Sequence, residues 1–164
     1  VLPPSAAAGR LRTWAYATAG LVYVQIVLGA MLRHPGAGMS GGYTALHVTG
    51  AFVVVGAVLG VLMIVEKHFD HVPVLRTAAW VLTGAMALQF ALGLASLLLT
   101  LYEPAGQGGV VAYVLLTVAH LVVGAVLFGA SVVTALLAAR RPSTAAQPSH
   151  SEVRAEPELA ATPR

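Results

Sequence analysis

The chain has 164 residues, of which 58% are apolar and only 9% are charged, and its formal net charge is +3. A soluble domain of this length needs a charged shell around its core, so the composition excludes that class and indicates an integral membrane protein. The basic residues stand at the ends of apolar runs, which gives no argument for a nucleic-acid partner. The absence of cysteine excludes disulfides, iron–sulfur clusters and thiolate-ligated or covalently attached heme on this chain.

Four uncharged runs follow one another along the chain, each long enough to cross the hydrocarbon as a helix of about 20 residues. They are residues 13–32, 45–65, 77–101 and 110–139, after an N-terminal segment 1–12 and before a tail 140–164. The runs are continuous rather than alternating, which argues against membrane strands. The tail is rich in Pro, Ser, Ala and Glu, a composition typical of disorder. The sequence therefore predicts an all-α membrane protein, a bundle of four transmembrane helices.

Charge at the ends of the runs sets the predicted orientation. If the spans alternate in direction, one side of the membrane receives Arg10, Arg12, Lys67, Arg76, Arg140 and Arg141. The opposite side receives Arg33 and the acidic Glu103. Because cytoplasmic segments carry the excess of Lys and Arg, both termini are predicted to be cytoplasmic, with the chain in a prokaryotic cytoplasmic membrane.

The first pair of spans is similar to the second pair. Gln25-Ile-Val-Leu-Gly29 in the first span matches Gln89-Phe-Ala-Leu-Gly93 in the third. Depth strengthens the match, because Gln25 and Gln89 each follow a cytoplasmic arginine by 13 residues. This pattern predicts a bundle built from two repeated helical hairpins.

The second and fourth spans each carry one histidine at the same depth. His47 stands 20 residues before Lys67, and His120 stands 20 residues before Arg140. At about 1.5 Å per residue, both imidazoles lie roughly 30 Å from the cytoplasmic cations, near the outer edge of the hydrocarbon. The two helices run in the same direction, so the histidines are related by a pseudo-two-fold axis along the membrane normal.

An ionisable residue within a span is costly and usually faces a functional interior. Each histidine could instead hydrogen-bond across the bundle and hold helices together. Equal depth on two parallel helices favours joint ligation of one metal centre. Zinc would need further ligands such as carboxylates, and the sequence has none at this depth. Heme iron needs two axial ligands on opposite faces of a flat ring, so one heme ligated by His47 and His120 fits best.

Three further residues are candidates for contact with such a group. Gly50 and Gly124 share the helix faces of the histidines and would let a bulky ring approach the backbone, although glycine also serves as ordinary packing surface. Arg33 ends the first span close to the histidine depth. It could pair with a heme propionate or anchor the helix at the interface.

Other polar residues are interpreted as structural. Gln25 and Gln89 lie deeper than the histidines and are more typical of hydrogen bonds between helices than of ligand contacts. His68 and His71 flank Asp70 in a cytoplasmic loop, which we interpret as solvated rather than as a metal cluster. The sequence identifies no catalytic residue.

Three parts of the sequence carry a resemblance to a known family: the stretch 25–38 (Gln-Ile-Val-Leu-Gly-Ala-Met-Leu-Arg-His-Pro-Gly-Ala-Gly), His47, and the stretch 120–125 (His-Leu-Val-Val-Gly-Ala). In these parts the chain resembles the heme A synthase family, and the resemblance extends over about residues 13–139. In that family two four-helix halves are commonly fused, and each half supplies a histidine pair from its second and fourth helices. One half is associated with the substrate heme O and the other holds heme b. The resemblance implies that His47 and His120 are paired axial ligands.

The departures from the family pattern favour its heme b half. One half is present, Thr44 stands where the substrate half carries a glutamate, and the family's cysteine pair is missing. The resemblance thus implies one heme b per chain and electron transfer, since bis-histidine ligation leaves no open iron position. Besides the lipid bilayer, the expected partners are a second copy or a larger membrane complex, with heme O as a candidate substrate once paired. The alternatives are a structural accessory subunit of a respiratory complex and a small quinone-linked di-histidine cytochrome.

Overall fold

The computed structural model describes residues 4–32, 41–102 and 110–140, and these form four helices. The helices are α1 (Pro4–Met31), α2 (Gly41–His68), α3 (Pro73–Tyr102) and α4 (Val110–Ala139). Each is long and apolar enough to cross a membrane, and no strand occurs in the described ranges. The prediction of an all-α, four-helix membrane bundle is confirmed.

Three of the four helices are longer than the uncharged runs from which they were predicted. α4 has the predicted bounds, whereas α1, α2 and α3 extend into charged sequence at the ends of the spans. Helical geometry continues there because charged side chains at a helix end can reach the polar interface. Proline at or near the first helical position, as at Pro4 and Pro73, suits a helix start because its missing N–H would be unpaired anyway. Residues 4–12, predicted as a separate segment, are the first turns of α1.

Each helix packs against two neighbours, and together they close a ring. Contacts join α1 to α2, α2 to α3, α3 to α4 and α4 to α1, whereas no Cα atoms of α2 and α4 come within 8 Å in the described residues. A tight turn at residues 69–72 connects α2 to α3, with the Val72 N–H donating to the Phe69 carbonyl at 2.9 Å. The two histidine-bearing helices therefore occupy opposite corners of the bundle and run in the same direction.

Burial divides the bundle into two halves along its length. In the described residues, the fully buried side chains lie in 7–22, 54–69, 75–86 and 127–138, which belong to the packed half. There the buried hydroxyls of Thr18 and Thr134 donate within their own helices, to the carbonyls of Trp14 and Ala130, both at 2.8 Å. These internal bonds let polar side chains sit in an apolar core at little cost.

The other half comprises residues 23–32, 42–53, 87–99 and 111–123, and we call it the histidine half. None of its described side chains is fully buried. Most of its large apolar side chains face outward, for example Phe52, Leu94 and Leu121. The packed half therefore contributes most of the buried apolar core that holds the helices together.

Candidate functional site: two histidines in repeated hairpins

In the first hairpin, formed by α1 and α2, a histidine and a glutamine each pack against a glycine of the facing helix. His47 of α2 lies over Gly29 of α1, where an added Cβ would be 3.2 Å from the imidazole Cε1. Gln25 stands one helical turn before Gly29 on the same face of α1. Its amide lies over Gly50 of α2, where an added Cβ would overlap the Gln25 Nε2. Each helix thus offers one glycine to a polar side chain of the other.

The second hairpin repeats this arrangement. His120 of α4 lies over Gly93 of α3, where an added Cβ would be 3.0 Å from the imidazole Cε1. Gln89 of α3 lies over Gly124 of α4, where an added Cβ would be 3.0 Å from the amide Nε2. Here the amide also reaches the ring, with 3.2 Å between Gln89 Nε2 and His120 Nε2. Among the described residues, this contact between a glutamine and a histidine occurs in the second hairpin only, so the two hairpins are similar but not identical.

The two imidazoles come from opposite corners of the bundle, and each packs against the other helix of its own hairpin. His47 Nδ1 is buried without a hydrogen-bond partner, and so are the Oε1 atoms of Gln25 and Gln89. A buried polar atom without a partner costs about 1–3 kcal/mol, so such atoms usually mark a place where something else supplies the bond.

The chemistry of the donor set limits what this place can hold. The described residues contain no cluster of three or more His, Asp or Glu side chains. An ion bound by side chains alone generally needs three or four of them. A heme brings four ligand atoms of its own and asks the protein for two axial ones. Two histidines on opposite corners, without a third side-chain ligand among the described residues, fit a heme better than a bare ion.

The structure locates most of the residues singled out in the sequence. Gly50 and Gly124 border the site. The amides of Gln25 and Gln89 fill the space beside them. Contact of either glycine with a cofactor stays a prediction. The predicted hydrogen bond between helices is present for Gln89. Arg33 lies outside the described residues, and its pairing with a propionate also stays a prediction.

The predicted loop histidines lie away from this site, at the opposite end of the bundle. His71 Nδ1 is 3.4 Å from Asp70 Oδ1, and both side chains are about seventy per cent exposed, at 73% and 67%. His68 is the last residue of α2 and is half-buried. The arrangement matches a solvated turn.

Sequence reasoning did not assign a role to Gly29 and Gly93. Both stand in the repeated Gln-x-x-x-Gly pattern, so the signal was present in the sequence. Their role depends on which helix faces them, and that is visible only in the packed bundle. In the structure the two imidazoles pack directly on Gly29 and Gly93, and we call these two glycines the imidazole seats.

Fold and site together define a class: a four-helix membrane bundle with paired interior histidines. Comparison with protein-family models, with curated proteins and with solved structures found no match to this chain.

Proposed function

We propose that this protein is a bis-histidine heme b protein of heme A synthase type that transfers electrons within the membrane. The observation that supports this most is that His47 and His120 stand on diagonal helices, each 20 residues before a basic residue at the same end of the bundle. The unpartnered His47 Nδ1 and the two imidazole seats support it. When bound, heme would supply one-electron chemistry at its iron.

The chain's own residues would hold and surround such a group. His47 and His120 would provide the two axial nitrogens, and Gly50 and Gly124 would contact the ring once the amides of Gln25 and Gln89 moved aside. A neighbouring side chain that accepts a hydrogen bond from the other ring nitrogen orients a ligating imidazole and tunes the metal. Gln89, which lies 3.2 Å from the His120 ring, would take this role with its amide turned so that the oxygen accepts from the ring N–H. Gln25 has the equivalent position on α1. The packed half would close the site on the side of the termini, and Arg33 would be available to a propionate at the other side.

Orientation belongs to the same proposal. In the described residues, Arg10, Arg12, Lys67, Arg76 and Arg140 all lie at the end of the bundle where α1 begins and α4 ends. The positive-inside rule then places that end in the cytoplasm and the histidines toward the outer face of a prokaryotic cytoplasmic membrane.

The direct test is a reduced-minus-oxidised absorption spectrum of the purified chain, followed by extraction and identification of its heme. We expect the sharp bands of a six-coordinate low-spin heme, about one heme per chain, and heme b on extraction. A chain that remains colourless after expression with ample heme would refute the proposal. That result would favour the alternative of a structural accessory subunit, whose histidines only hydrogen-bond between helices.

A synthase activity would need a second heme site. Oxidising a methyl group of heme O requires iron with an open coordination position, and two axial histidines leave none. We therefore expect a homodimer or a stable complex with other membrane subunits in native mass spectrometry from mild detergent. A heme-loaded monomer that converts heme O on its own would contradict this expectation. A heme-loaded monomer that transfers electrons but does not convert heme O would be consistent with the heme b proposal and would exclude a synthase activity.

A further inference from the structure

Two grooves meet on the outer surface of the packed half, far from the histidines. The first, of about 560 Å³, is lined by Arg76, Thr77, Trp80 and Val81 of α3. The second, of about 520 Å³, lies between α3 and α4, and its α4 wall consists of apolar residues. Thr77 and Val81 border both grooves, so the two form one continuous depression. It is polar and cationic at one side and apolar at the other.

A hydrogen-bonded fork fixes the polar side. Glu66 Oε1 accepts from Arg76 Nε at 2.9 Å and from Trp80 Nε1 at 2.7 Å. The Arg76 side chain nevertheless remains 53% exposed. Its bond to Glu66 uses Nε, and in the described part of the chain no hydrogen bond involves its two Nη groups. A guanidinium held in place with both Nη groups available matches the oxygens of a phosphate.

The apolar side has the dimensions of a lipid tail. Its α3 wall runs from Pro73 to Val81 and its α4 wall from Leu137 to Ala130. At 1.5 Å per residue these walls are roughly 10–12 Å long, comparable with most of one acyl chain in a leaflet about 15 Å thick. Tryptophan beside the polar end suits the level of the headgroups, where aromatic belts lie.

Charge selects the kind of lipid. In the described residues this end of the bundle carries five basic side chains against Glu66 and Asp70. Basic pockets between membrane helices on such a surface favour anionic headgroups. Glu66 is engaged by two donors, so it orients Arg76 without occupying the Nη groups.

We propose that this depression binds an anionic phospholipid, with the lipid phosphate on the Arg76 guanidinium and one acyl chain in the groove between α3 and α4. The site does not involve the histidines and does not depend on heme. Bound lipid would join α2, α3 and α4 at the membrane surface, since Arg76 is tied to Glu66 of α2.

The test uses the full chain purified in mild detergent and titrated with either phosphatidylglycerol or phosphatidylcholine. Lipid adducts are counted by native mass spectrometry, and the thermal unfolding midpoint is recorded at each lipid concentration. For the unaltered chain we expect retained phosphatidylglycerol and a higher unfolding midpoint, with a weaker response to phosphatidylcholine. Arg76→Gln should lower the apparent affinity for phosphatidylglycerol about tenfold or more, the loss expected for one charge-assisted hydrogen bond.

Matched variants separate the site from general charge and folding effects. Arg12→Gln removes the same charge from α1, which does not contact α3 in the described residues, and should leave the affinity within about twofold. Val133→Trp fills the apolar groove without touching Glu66 or Arg76 and should also reduce binding. Val126→Trp places the same ring on an exposed face of α4 outside the groove and should not.

Three outcomes would overturn the proposal. The first is an equal loss for Arg76→Gln and Arg12→Gln, which would mean diffuse attraction. The second is equal binding of the two lipids by the unaltered chain. The third is a dimer that Val133→Trp abolishes and that carries no lipid, which would assign the groove to a second copy.

Discussion

Replacing either His47 or His120 by alanine is expected to abolish the low-spin heme spectrum of the purified protein. Each imidazole would supply one of two axial bonds, and the described residues offer no cluster of further metal-binding side chains to replace a lost ligand. A five-coordinate heme would show a broad high-spin spectrum or would dissociate during purification. The measurement is the absorption spectrum of each variant in both oxidation states, together with heme content per chain.

The control for this experiment is His71→Ala, which removes an exposed imidazole at the opposite end of the bundle. It should keep full heme content and an unchanged spectrum. Unaltered low-spin spectra in both the His47 and His120 variants would eliminate the bis-histidine assignment. A loss confined to one of them would assign a single histidine ligand and require a second ligand from elsewhere.

Filling the imidazole seats is expected to have the second large effect. In Gly29→Leu and Gly93→Leu the new side chain would enter the space of His47 or His120, because even a Cβ would lie 3.2 or 3.0 Å from the ring. Displacing a packed side chain costs about 1–3 kcal/mol in stability. Since the displaced side chain is also the proposed ligand, heme content should fall together with the unfolding midpoint.

Each helix supplies its own control for that prediction. Gly20 of α1 and Gly84 of α3 have no other atom within 4 Å of an added Cβ, and both face outward. Gly20→Leu and Gly84→Leu should therefore be neutral or slightly stabilising, because leucine has a higher helix propensity than glycine. If the seat variants retain as much heme as these controls, the glycines do not position the histidines.

The sequence predicted the number, order and type of the helices because crossing a bilayer requires about 20 apolar residues in one continuous run. It predicted the equal depth of His47 and His120 because helical rise is constant, so position along the chain converts directly into depth. The helix starts were less accurate. The runs were defined by charge, whereas α1 continues through Arg10 and Arg12, since side chains at a helix end can reach water.

Only the tertiary structure decided which side chains meet. Hydropathy does not distinguish a ring in which α2 and α4 are diagonal from one in which they are adjacent, because either order gives the same four spans. The rotation of each helix about its axis decides which side chains meet. It brings His47 onto Gly29, and it brings Arg76 and Trp80 to Glu66. The helices are apolar on almost every side, so their sequences carry little information about which face points inward. In a membrane that rotation is set by packing, small residues and interhelical hydrogen bonds, and these exist only once the helices have assembled.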